Sequence, residues 1–387
     1  FELFLNEVER CIEHLRIRIC DNDFRRRLDG TDSQDKGGAV DAGAFATIQF
    51  AVDQIPGLVG SNVVININNE TYAESVTVQG KAFTGNYNIL FEGQFSEQLS
   101  EALVQSGSKG SSTVQAYLNV SAPGWGVNAF QYMWVKFEDD TLTAALQGKE
   151  YLIDSNTSSR ITFLNMLPSS PVSGDTFTVQ DQDTEWGMTV SGTEPILRVE
   201  VAQTNVDCHR IYFLEMTEVP TLWMIDYLAN SSGRWDACKI REDTRLLNIL
   251  VRGGLLWLQD CFVDSARSSG TRSITLEDGG ALTLNHTLVR CLNNTTSGNR
   301  GVYAHSNSTL NVTGSMITRA YHGLFIDLGA TARYSGNGNN DGRFRINNCN
   351  TALFATEGGL IAITSVIFSA NSTNENPAGA SDPAWII

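Results

Sequence analysis

The residues in this chain best able to do chemistry are carboxylates. Two carboxyl groups held close can divide acid and base work on a glycosidic bond, or hold a divalent cation. Three groups qualify by spacing. Glu138, Asp139 and Asp140 are consecutive, and Asp181, Asp183 and Glu185 alternate. Alternation puts three side chains on one face of a strand. Glu277, Asp278 and Asp327 stand beside pairs of small residues further on. For the first two groups a solvated strand end or loop is the plainer account. Among five dispersed histidines, His286, His305 and His322 are close enough in sequence to meet at a metal, with His286 and His305 flanking one corner. Surface turns explain them more simply. Trp125, Trp134 and Trp186 either offer flat faces to a sugar ring or fill a core. No metal-ligand cysteine spacing, phosphate loop or nucleophile elbow is visible, so no cofactor and no metal is implied.

Such groups act only where a scaffold holds them, and the second half of the chain carries a repeat. Gly253-Gly254, Gly279-Gly280, Asn307-Ser308, Gly329-Ala330 and Gly358-Gly359 recur at intervals of 26, 28, 22 and 29 residues. An alternating strand follows each pair, and another precedes most of them. A period of 20–30 residues with small residues at one corner is the mark of a β-solenoid, whose coils bury their inward faces only by stacking. Cys261, Cys291, Ala320 and Cys349 are 30, 29 and 29 residues apart, and Cys208 and Cys238 are 30 apart. That spacing predicts inward ladders of buried thiols. Seven cysteines in all, an odd number, do not make a disulfide framework.

Composition bounds the rest. With 387 residues, 42% of them apolar, the chain can bury a large core, and its 18% of charged residues argues against disorder. A net charge of −16 disfavours nucleic acid and anionic lipid as partners. No apolar run of 18 residues exists to insert in a membrane. No signal peptide is visible, and a chain opening on Phe leaves its native start undecided. Residues 1–28 carry a helical apolar stripe suited to assembly, and residues 29–43 form a Gly- and Asp-rich linker. The predicted domains are 1–43 (helix and linker), 44–93 (capping helix and first coil), 94–200 (an inserted small all-β domain, rich in alternating runs) and 201–387 (the remaining coils and a C-terminal cap).

Within residues 29–93 the run FATIQFAVDQIPGLVGSNVVININNETYAESVTV resembles the first coil of pectate-lyase-like right-handed parallel β-helices, in the version found in tailed-phage tail and baseplate proteins. The segment from Trp125 to Val179 is similar to a β-rich insert of phage β-helix proteins. The resemblance implies a mainly β fold, a single-stranded parallel β-helix with a capping helix. It also implies a virion structural protein, as tail fibre, tailspike or baseplate part, assembled in the host cytoplasm. Its partners would be copies of itself, with a homotrimer favoured, and other virion proteins, with host-surface polysaccharide an open third. The Asp clusters of pectate lyases, the Asp pair and Gln of pectin methylesterases and the polygalacturonase signatures have no convincing match here. That favours a non-enzymatic structural role. A polysaccharide depolymerase or lyase and a carbohydrate-binding module remain as alternatives. Paired acids in an open groove would mark the depolymerase, and exposed tryptophans the binding module.

Overall fold

The structure, a computed structural model, describes residues 47–386 except 69–70, 84, 112–113, 122, 189–194, 201–203, 216–222, 243–246, 266–270, 335–343, 364–365 and 378–384. The expected helix and linker of residues 1–43 lie outside the described residues.

The chain forms a parallel β-solenoid, as the repeat predicts. Each coil supplies one strand to each of three sheets, and strands pair in parallel with the coils before and after. Face A holds ten strands, from Val63–Asn66 to Trp385–Ile386; faces B and C hold nine each, from Thr71–Ala73 to Val366–Ser369 and from Val76–Gln79 to Thr373–Pro377. The order within a coil is A, B, C. Inward positions stack on equivalent inward positions. On face A, for example, Trp235, Leu258, Leu284 and Val312 form one column, and all four are buried. The first end is closed by a helix, Ile48–Asp53, whose Ile48, Ala51 and Val52 are buried. Thr47 caps it by accepting from Phe50 N–H, and the Glu74 carboxylate accepts from the N–H groups of Ile48 and Gln49. The free N–H groups of the first turn are thus partly satisfied from the neighbouring coil.

The small-residue pairs form the corner from face C to face A. Gly279 has φ +80°, and a Cβ on Gly280 would lie 2.2 Å from the carbonyl oxygen of Val251 in the coil before. The corner therefore selects glycine for conformation at one position and for close approach at the next. A second tight position lies inside the rod. Gly233 leaves room for Tyr227, whose hydroxyl donates to Val206 O at 2.6 Å and accepts from Trp235 Nε1 at 2.8 Å. A Cβ there would sit 2.2 Å from Val206 O and 2.5 Å from the hydroxyl. Gly233→Ala is expected to lower the unfolding free energy by about 3 kcal/mol, measured by denaturant titration.

The cysteines follow a different register from the expected one. Cys238 and Cys261 each come one residue after a left-handed corner residue between faces A and B, where Thr287 and Ser315 follow in the next coils. Cys291 instead ends a face B strand opposite Ser265. Coil lengths vary, so a constant interval in sequence crosses columns. The thiols of Cys208, Cys238, Cys261, Cys291 and Cys349 are free and buried.

Between the face A strand Asn88–Glu92 and the face B strand Glu185–Met188 the chain leaves the rod. Residues 95–182 form a seven-stranded sheet with antiparallel pairing throughout. Phe137, Phe163 and Phe177 fill its core. Residues 185–188 and 197–200, assigned to the insert from sequence, run as rod strands. Glu185–Met188 pairs with Thr71–Ala73, and Leu197–Glu200 with Val76–Gln79. The run EWGM alternates like its neighbours in the insert, and only its pairing partner shows which body it joins. The sheet docks on an outward column of face B. Trp134, Leu152 and Leu164 cover Phe262, Leu288 and Met316, and Trp134 Nε1 donates to Asp260 O at 2.9 Å.

Candidate functional site

The docking leaves a cleft of about 620 Å³ along the corner between faces A and B. Its rod wall is a stack of equivalent corner positions. Glu92, His209, Asp236, Gln259 and Asn285 are successive register partners at the ends of the face A strands. Each residue that follows Glu92 in this column is succeeded by one with a left-handed backbone: Arg210, Ala237, Asp260 and His286 have φ of 57°, 49°, 49° and 52°. The opposite wall is Gly148, Lys149, Glu150 and Tyr151 of the insert, with Met166 and Pro168. The strand carrying Glu150 pairs with that of Trp134, so the same contact that docks the insert places this wall.

The electrostatics divide the carboxyl groups. Burial pushes Asp260 well above the usual carboxylate range, and the charge of Asp236 adds to this. Asp260 therefore holds its proton more tightly than an ordinary carboxyl group, with His286 Nδ1 3.7 Å from its Oδ1. Burial also raises Asp236, against the opposing pull of His209 and Arg234. Burial works to raise Glu150 as well, but hydrogen bonding from His209 and the charge of Arg210 hold it below its ordinary value. Glu150 forms an ion pair with Arg210 Nη2 and lies 3.7 Å from His209 Nε2, while His209 Nδ1 meets Glu92 Oε2 at 3.0 Å. His209 thus sits between two carboxylates. Burial disfavours its charge, yet Glu150 and Glu92 outweigh that and lift it to about 9.

A raised histidine pKa means that folding is favoured by protonation. That contribution is complete below the unfolded value of about 6.5 and disappears as pH rises through about 9. The charged and titratable groups around the ring are Glu92, Glu150, Arg210 and Asp236. The parent protein is expected to lose up to about 3 kcal/mol between pH 6.5 and 9 from this group. Thermal melts of His209→Gln should show a flatter profile across that window.

On the face A strand that brings Gln259 to the cleft, Trp257 is 42% exposed two residues earlier. Arg234 lies over its ring at 5.4 Å and reaches Gln259 Oε1. An exposed aromatic face beside a polar cleft suits a sugar ring, which has an apolar face and a hydroxylated rim. Carboxyl groups of unequal proton affinity, such as Asp260 and Asp236, can divide the roles of proton donor and acceptor.

The residues singled out from sequence lie elsewhere. Trp134 and Trp186 are fully buried. Trp186 packs within the rod between Phe91, edge-on, and Phe213, tilted, at 5.3 Å from each. Neither offers a face to a sugar, because each ring is needed to fill a core. Trp125 is half-buried, edge-on to Phe130 in the insert. Glu138, Asp139 and Asp140 occupy a turn, where Glu138 accepts from Thr178 Oγ1 and Asp140 from Thr176 Oγ1. Asp181, Asp183 and Glu185 do not share a strand face. The strand ends at Gln182, Asp181 pairs with Lys239 at 3.6 Å, and Glu185 accepts from Thr71 back on the rod. Glu277, Asp278 and Asp327 cluster loosely at the corner from face C to face A. Glu277 meets His305 Nε2 at 3.1 Å and Asp327 accepts from Tyr303. The histidines do not converge. His286 is at the cleft, His305 is on Glu277, and His322 is buried on face C against Phe354. Among the described residues no three His, Cys, Asp or Glu side chains form a metal-binding group, and no helix is long and apolar enough to cross a membrane.

Asp236, Asp260, Glu150, His209 and Trp257 carry little sequence signal. The one available clue is that Asp236 and Asp260 stand just before Cys238 and Cys261, in WDAC and LQDC. A register built on the corner rather than on equal cysteine intervals would have aligned them.

No family model and no curated protein matches the sequence. Solved structures do show a partial likeness. The tailspike gp61 of Pseudomonas phage phi297 aligns at 10% identity and TM-score 0.27, over 81% of this chain and 63% of that one. The chain therefore spans less than two thirds of that tailspike. XylC in complex with xylose aligns at 10% identity and TM-score 0.31, over 90% of this chain and 69% of that one. The Gp54 tailspike of Acinetobacter baumannii bacteriophage AP22, in complex with A. baumannii capsular saccharide, aligns at 9% identity and TM-score 0.22, over 81% and 71%. Similarity this low carries no argument about chemistry, which rests on the chain's own residues.

Proposed function

We propose that this chain is the rod of a tailed-phage tail projection of the tailspike type, and that the cleft between rod and insert binds host-surface polysaccharide. The carrying observation is the polar cleft itself. Charged side chains from two bodies converge there, and Trp257 is exposed two residues before Gln259 on the same face A strand. The capping-helix resemblance at residues 29–93 supports the phage assignment. Homotrimeric assembly and attachment to other virion proteins belong to the same proposal, and sedimentation mass tests the trimer. The binding test is calorimetric titration with oligosaccharides prepared from capsules and lipopolysaccharides of candidate hosts. Binding that Trp257→Ala weakens about tenfold or more supports the proposal. Failure of every surface glycan to bind overturns it.

A second reading is favoured by the contrast between Asp260 and Asp236. Burial raises Asp260 more than Asp236, and two carboxyl groups of unequal proton affinity are what glycoside hydrolysis uses. In this reading Asp260 Oδ donates its proton to the leaving glycosidic oxygen. Asp236 takes the opposite role, as base towards water or as nucleophile. Glu150, His209 and Arg210 hold the wall in place. Release of reducing ends from a bound polysaccharide tests it.

A further inference from the structure

Face C carries a second constellation, away from the cleft corner. Arg272, Arg300 and His322 are register partners in three successive coils. Beside them runs a column of Tyr303, Phe325 and Phe354. The two arginines crowd one ring. Their guanidinium carbons lie 4.5 and 4.2 Å from the Tyr303 centroid, and Arg300 is also 3.7 Å from that of Phe325. Among the described residues neither arginine has a carboxylate within ion-pair distance. Asp327, the carboxylate that bears on Arg300, accepts the Tyr303 hydroxyl proton at 2.9 Å instead. Arg300 Nε and Nη1 are buried without hydrogen-bond partners, as are His322 Nδ1 and Thr275 Oγ1. His322 is 8% exposed. Burial, with Arg300 adding, holds its imidazole down at about 4, so it stays neutral beside them.

Two adjacent cations whose counter-charge, Asp327, is hydrogen-bonded to Tyr303 rather than to either guanidinium group are costly in a half-buried setting, and more conspicuous on a chain of net charge −16. Proteins leave such charge unpaired chiefly where a ligand supplies the partner. Stacking on Tyr303 and Phe325 fixes the guanidinium planes in advance, which suits fork-like recognition of an oxyanion. Half-buried Tyr321 and Phe354 flank the row and can face a sugar ring. The connections before His322 and Thr351 are three residues each, 319–321 and 348–350, while the one before Arg300 is eight residues, 292–299.

We infer that the Arg272–Arg300 row on face C is a second saccharide site, specific for a sugar that carries a carboxylate. The carboxylate lies against the two guanidinium groups, and His322 Nδ1 offers a further polar contact. This site shares no residue with the cleft and does not depend on its function.

Isothermal titration of the full chain with three probes tests it: a glucuronate trisaccharide, a neutral glucose trisaccharide and inorganic phosphate. The expected result is saturable binding of the uronate, little or none of the neutral sugar, and phosphate at least about tenfold weaker. Arg300→Gln should weaken uronate binding at least about tenfold, and Arg272→Gln supplies the same test if the first variant does not fold. Equal binding of phosphate and uronate would make this an inorganic-anion site and overturn the saccharide assignment. Absence of uronate binding, or binding unchanged in a folded variant, would overturn the site altogether.

Discussion

On the hydrolytic reading proposed above, an Asp260→Asn protein is expected to bind polysaccharide as the parent does and to release oligosaccharide about 10²–10⁴-fold more slowly. Asn keeps the size and hydrogen-bonding capacity of the protonated acid but has no proton to give. The same substitution should raise stability at neutral pH. Asp260 has a raised folded pKa, so its contribution is fully present below the unfolded value and is lost as pH rises through the folded one. Asn has no charge to bury. The parent's stability should therefore fall with rising pH over a range where the variant's does not, and paired thermal melts at several pH values measure this. A gain in stability with a loss in turnover separates a catalytic acid from a structural one. Unchanged turnover would remove Asp260 from the chemistry and leave the cleft as a binding site only.

Trp134→Ala should be the most damaging change at the junction of insert and rod. The indole is fully buried, stacks on Phe95 at 5.7 Å, closes over the Phe262, Leu288 and Met316 column, and donates to Asp260 O. Truncating such a side chain costs about 3–5 kcal/mol. It also leaves a backbone carbonyl without its partner at the site itself. Because Leu152 pairs with Trp134 and Glu150 lies on the same strand, the insert wall should lose its position. The expected result is a lower denaturation midpoint, an insert that unfolds before the rod, and loss of saccharide affinity. Trp134→Phe should recover most of the stability but not the hydrogen bond. Retained affinity in Trp134→Ala would show that the insert wall takes no part in binding.

The fold was legible because it is periodic. Corner pairs such as Gly279-Gly280 are demanded in nearly every coil by the same backbone geometry, so they repeat in the sequence. The capping helix was legible because Ile48 and Val52 lie at helical spacing and Pro56-Gly57 ends it. The site was not legible, for two physical reasons. Its rod wall is a column, so Asp236 and Asp260 become neighbours only when the register is right, and coils of unequal length hide that register. Its other wall comes from residues 148–151, and nothing local to Glu150 says that the insert folds back on face B. Trp134 and Trp186 illustrate the converse. Aromatic content in a strand-rich stretch is visible, but whether a ring fills a core or faces solvent depends on the sheet it joins.

The most direct test of the account is a crystal structure of the protein with an oligosaccharide from its host's surface. The expected result is sugar density in the cleft, within hydrogen-bond reach of Asp236, Asp260 and Glu150, with one ring lying on Trp257. Saccharide bound only on other surfaces, with the cleft holding solvent at saturating ligand, would contradict it.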